Sequence, residues 1–103
     1  MQGTMLIYRP ESATPEKQTL TGPLELDALQ KIIGGYLERV PMWQRFNGAE
    51  CVALCDEEGK IKEKPVNVAA TVEWQRAQSL PVDDVLVGTV VVLTGDDAFM
   101  QSL

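Results

Sequence analysis

Apolar residues along this chain fall into short runs and one helical stripe, separated by proline, glycine and charged residues. Residues 4–9 (TMLIYR) read as a strand, since Met5, Leu6, Ile7 and Tyr8 are apolar and partly β-forming, and Pro10 ends it. The polar stretch 11–23, with Pro15 and Pro23, reads as a surface loop holding a short extended piece at 18–20. In residues 24–33 (LELDALQKII), Leu26, Leu29 and Ile33 recur at the spacing that lines one helix face, and Ala28 and Ile32 widen it. Pro23 suits the first turn, Glu25 and Asp27 lie near the positive end of the helix dipole, and Lys31 lies near the other end. Gly34 and Gly35 then stop the helix, because glycine takes the left-handed cap without a Cβ penalty.

Residues 36–40 (YLERV) alternate as a short strand, Tyr36, Glu38 and Val40 on one side, Leu37 and Arg39 on the other. After Pro41 comes an irregular stretch, 42–50, with a turn at Asn47-Gly48. Residues 51–55 (CVALC) read as a central strand and 56–60 as an acidic turn in which Gly59 supplies positive φ. Residues 61–64 return as its hairpin partner, Ile61 being the strong core residue there. Asn67 caps a second helix that starts at Val68, with Val68, Ala69 and Val72 inward and Leu80-Pro81 at its end. Residues 85–94 (VLVGTVVVLT) are apolar on both faces, which places them inside the sheet; Gly95 ends the strand and the tail forms a helical turn. The expected fold is α+β, with one mostly antiparallel sheet of four or five strands and two helices packed on one face.

A length of 103 residues fits one domain, residues 1–103, and 45% hydrophobic with 23% charged residues is ordinary for a globular chain. The net charge of −6 opposes binding to a polyanion, so nucleic acid is not an expected partner. The acidic residues do not run in the long blocks that mimicry of DNA would suggest, and the charge reads as a solubility device. No stretch approaches the ~20 apolar residues of a membrane span and the N-terminus lacks the pattern of a secretory signal, so the expected compartment is the cytoplasm.

Chemistry is scarce. There is no histidine, which removes the commonest general base and metal ligand together. Cys51 and Cys55 on one strand would stand ~13 Å apart, beyond the ~7 Å reach of a disulfide; they read as buried, inert thiols. No metal site and no cofactor are expected: the acidic pairs lack calcium-loop spacing, and 56–59 reads as a solvated turn. Gly34-Gly35 follows a helix, whereas phosphate loops precede one, so its main reading is a cap. Its functional reading is that two bare glycines let a ligand or partner approach beside Tyr36, Glu38 and Arg39. The alternative is that Gln30 and Glu38 satisfy buried backbone groups there. Trp43, Arg45 and Phe46 form an aromatic and basic cluster of the kind found at binding hot spots; the competing reading is that Trp43 and Phe46 cap the core. Trp74 lies off the Val68/Val72 face, which makes it a rim or interface residue and suggests a homodimer contact.

Residues 29–38 (LQKIIGGYLE) resemble the hallmark of the domain of unknown function 3846 family, a helix ending in Leu-Gln, two residues, a double glycine, one residue, an aliphatic and a Glu. Residues 56–60 look like that family's acidic turn, Pro65-Val66-Asn67 with Ala69, Ala70 and Thr71 like its Pro-x-Asn segment, and 84–92 like its closing strand. The segment 41–50 departs from the pattern. The resemblance implies a phage, plasmid or other mobile-element setting in bacteria and assigns no activity. The expectation is a non-enzymatic accessory protein that binds a host or element protein, through Gly34, Gly35, Tyr36, Glu38, Arg39, Trp43, Arg45 and Asn67. The alternative is a small-molecule binder, a sponge for a nucleotide signal of host defence, with Gly34, Gly35, Tyr36, Glu38, Arg39 and Asn67 as its site.

Overall fold

The computed structural model describes residues 1–78 and 83–103. Its strands are β1 (Gly3–Tyr8), β2 (Glu16–Leu20), β3 (Leu37–Arg39), β4 (Arg45–Phe46), β5 (Ala49–Glu50), β6 (Val52–Asp56) and β7 (Val90–Gly95). Its helices are α1 (Leu26–Ile33), α2 (Val68–Arg76) and α3 (Asp97–Gln101). Five strands form one antiparallel sheet in the order β2-β1-β7-β6-β3, and β4 and β5 form a separate hairpin. The α+β class and the antiparallel sheet of five strands follow the sequence reading.

The register sorts the side chains. Met5 faces Leu93 and Ile7 faces Val91, while Val52 and Leu54 meet the same two residues from the other side. This face is covered by Leu29 and Ile33 of α1 and Phe99 of α3. The opposite face carries Tyr8, Val90, Val92 and Ala53, and is covered by Ala70 and Trp74 of α2 together with Trp43. Two helices thus share a face, but they are α1 and α3; α2 lies on the other side. The reason is the apolar character of β1 and β7 on both faces, since each face needs its own cover.

Several local expectations are corrected. The stretch 11–23 contains a full strand, β2, paired with β1 from Gly3↔Leu20 to Ile7↔Glu16. It is an exposed edge strand held by backbone bonds, so it lacks the apolar alternation that would have shown it. α1 starts at Leu26, leaving Pro23 outside it, and Leu26 is 60% exposed. Residues 61–63 form turns, none of residues 61–64 is in a strand, and Ile61 is 81% exposed. Gly59 does not have positive φ; a side chain there would meet Val87 Cγ2 at 3.0 Å. The last strand begins only at Val90, because Gly88 takes φ +71° and Val87 bridges Val66 instead. Asn47-Gly48 does turn the chain, and it joins β4 to β5 within the stretch expected to be irregular.

α2 is rotated from the expected face. Ala70, Thr71 and Trp74 are buried, whereas Val68 and Val72 are exposed. Trp74 is 1% exposed, and its Nε1 donates to Pro41 O at 2.9 Å, so it is a core residue and not a rim or dimer contact. The expected end of this segment at Leu80-Pro81 lies outside the described residues.

Candidate functional site

The double glycine sits over a buried charge cluster. Gly34 caps α1 with φ +82°, its N–H donating to Gln30 O at 2.7 Å. Gly35 follows in contact with the end of β6: a Cβ there would lie 2.6 Å from the Asp56 carboxylate. Asp56 is buried and was expected to be part of a solvated turn. Its Oδ2 accepts from Lys64 Nζ at 2.6 Å and Lys62 Nζ at 2.9 Å, and its Oδ1 accepts from the Glu58 N–H at 2.9 Å. Burial pushes the Asp56 carboxyl up, but the bonds from Lys64, Glu58 N–H and Lys62 outweigh it and bring it down to about 2.

The same lysines complete the helix end. Lys64 Nζ donates to Ile33 O at 2.9 Å and Gly34 O at 3.4 Å, and Lys62 Nζ reaches Gly34 O at 3.5 Å. Cations at a helix C-terminus satisfy its free carbonyls and oppose its negative dipole end. The alternative reading of the sequence assigned the backbone groups around the double glycine to Gln30 and Glu38, whose side chains make no such bond among the described residues. It missed Lys62 and Lys64, which fell in the segment expected to return as a hairpin strand. Gly88 belongs to the cluster as well, since a Cβ there would lie 2.8 Å from Lys64 Cδ.

The eight sequence candidates separate. Gly34, Gly35 and Tyr36 line one open groove of about 620 Å³ with Asp27, Gln30, Lys31, Glu58 and Lys62. Tyr36 is 68% exposed. Glu38 lies on the opposite face of β3 from Arg39 and lines a different hollow with Cys55 and Lys60. Arg39 lines an apolar hollow beside α1. Arg45 is on the β4–β5 hairpin and donates to Gly48 O at 3.3 Å. Trp43 is buried under that hairpin, which makes it core. Asn67 is fully buried and already satisfied: Nδ2 donates to Tyr8 O and Gly88 O at 2.8 Å each, and Oδ1 accepts from Ala70 N–H at 3.0 Å. Buried in this way, neither Trp43 nor Asn67 offers a surface to a partner.

The surroundings of Cys51, which is buried, and of Cys55, which is half-buried, disfavour the thiolate. Burial, then Glu50, pushes Cys51 up to about 11; burial, then Glu38 and Asp56, does the same for Cys55. Among the described residues no three His, Cys, Asp or Glu side chains converge as metal ligands, and no helix is long and apolar enough to cross a membrane.

The architecture is α+β, and its helix cap and acidic turn meet around one buried aspartate held by Lys62 and Lys64. The family model described as "Domain of unknown function (DUF3846)" matches residues 1–103, and the chain belongs to that family. No curated protein and no solved structure matches it.

Proposed function

We propose that this is a non-enzymatic accessory protein of a phage or other bacterial mobile element, acting in the host cytoplasm by binding a host- or element-encoded protein. The observation that carries the reading is the exposed ring of Tyr36 beside two glycines whose backbone is held by the Asp56–Lys62–Lys64 cluster. An aromatic on a fixed, uncluttered surface loses little entropy when a partner covers it. The groove holds two lysines against Asp27 and Glu58, and Lys62 is already engaged by Asp56, so no surplus positive field remains to favour phosphates. That balance supports a protein partner over a nucleotide.

The second reading, a small-molecule sponge, draws on the groove volume of about 620 Å³, which is in the range of ligand sites. One experiment separates the two. Tyr36→Ala, an exposed change expected to leave the melting temperature unaltered, is compared with the wild type as bait in host lysate and in a thermal-shift panel of nucleotides. A partner captured by the wild type and lost with Tyr36→Ala supports the first reading. A nucleotide that raises the wild-type melting temperature supports the second. Capture undiminished by Tyr36→Ala rules out this surface.

A further inference from the structure

The face of the sheet under α1 is incompletely covered near β3, and the gap is an apolar hollow of about 270 Å³. Its walls include Leu24, Leu29, Leu37, Val52 and Leu54. Of these, only Leu29 is fully buried; the others are half-buried, so the hollow leaves apolar surface in contact with water. Such surface is a source of binding free energy for any chain that displaces that water.

Arg39 is out of place in this wall. It stands opposite Leu54 in the ladder and two residues from Leu37, so alternation puts it in a row that is otherwise apolar. It is the one charged side chain lining the hollow, it is itself exposed at the rim, and the wall also includes Ser102 and Leu103 of the tail. Among the described residues it has neither an ion pair nor a side-chain hydrogen bond. A guanidinium at the edge of a leucine-lined hollow presents a planar fork of donors, which matches a carboxylate. A neutral ligand would leave that fork unused, and a cation would be repelled by it.

We propose that this hollow is a binding site for a small aliphatic monocarboxylate, the alkyl chain lying against Leu37, Val52 and Leu54 and the carboxylate on Arg39. The volume is at the lower end of small-molecule sites, which suits a short or medium chain. This site is separate from the Tyr36 groove and does not depend on the function proposed above. The competing explanation is that Arg39 is an inward-pointing charge on an edge strand, which discourages pairing with another chain and binds nothing.

The test is titration of the intact protein with hexanoate, octanoate, 1-octanol and octylamine, followed by methyl and amide NMR shifts. The expected result is saturable octanoate binding with shifts at Leu37, Val52 and Leu54. Octanol should bind about 2- to 5-fold more weakly, the worth of an ion pair at an exposed arginine, and octylamine should not bind. Arg39→Gln, at an exposed position that should leave circular dichroism unchanged, should bring octanoate down to the octanol level. The proposal is overturned by an absence of shifts at millimolar octanoate, by equal binding of octanoate and octanol, or by unaltered octanoate affinity in Arg39→Gln.

Discussion

One methyl group at position 35 would fall 2.6 Å from the carboxylate of Asp56, whereas at position 34 the obstacle is a left-handed backbone with only Lys64 Nζ nearby, at 3.2 Å. Adjacent glycines thus serve different ends. Gly34→Ala should cost about 1–2 kcal/mol, the penalty for a side chain in the left-handed region. Gly35→Ala should cost more, roughly 2–4 kcal/mol, because it displaces a buried carboxylate from its two lysines. Urea denaturation of the two variants checks the order, and equal losses would argue against the carboxylate contact. Only the first role was legible in the sequence: a cap is signalled by its own helix, while the Asp56 contact is made by folding. The pH dependence belongs to the same residue. Asp56 has a folded pKa of about 2 against an ordinary 3.8, so the folded state favours the carboxylate. Its contribution is complete above the ordinary value and is lost as pH falls from there through about 2. In Asp56→Asn, stability should be lower at pH 7 and should fall less steeply between pH 4 and 2, as read from urea midpoints across that range.

Among the elements, α2 shows how a periodic pattern can point the wrong way. Val68, Ala69 and Val72 make an apolar stripe, yet the helix buries Ala70, Thr71 and Trp74. Two anchors set the rotation. Asn67 is plugged into the sheet through Tyr8 O and Gly88 O, and the large Trp74 side chain takes the space above Ala53 and Val92. The cap itself was legible at Asn67; its second task was not, since nothing local shows that its amide nitrogen joins the end of β1 to the turn before β7. Asn67→Ala should cost about 2–4 kcal/mol, combining the lost cap with two buried carbonyls left unpaired. Asn67→Asp keeps an acceptor for Ala70 N–H but turns a carboxylate toward those carbonyls, and it should be no more stable than the alanine variant. A near-native melting temperature for Asn67→Asp would mean that the bridging bonds matter little. β2 was half legible for the converse reason: an edge strand exposed on both faces shows no alternation.

For the whole molecule, class and sheet were legible because they depend on the sum of many short patterns, whereas the division of helices between two faces depends on which surfaces remain uncovered. Both tryptophans lie in the core beside α2. Their native emission should therefore be blue-shifted, and its loss on heating should coincide with the loss of far-UV circular dichroism in one transition if residues 1–103 form one domain. Cys51 and Cys55, raised to about 11, should label slowly with a thiol reagent at pH 7.5, and quickly once denaturant opens the fold. Fast labelling without denaturant would contradict the packing described here. The position of β7 has a consequence for biosynthesis. It lies in the middle of the sheet, between β1 and β6, yet comes last of the strands in the chain. Of the strands in this sheet β1 is synthesised first, and its inner neighbour exists only once residues 90–95 have been made. Until then the apolar edges of β1 and β6 are both unpaired, so the emerging polypeptide is most exposed to chaperones, proteases and self-association just before its last strand appears.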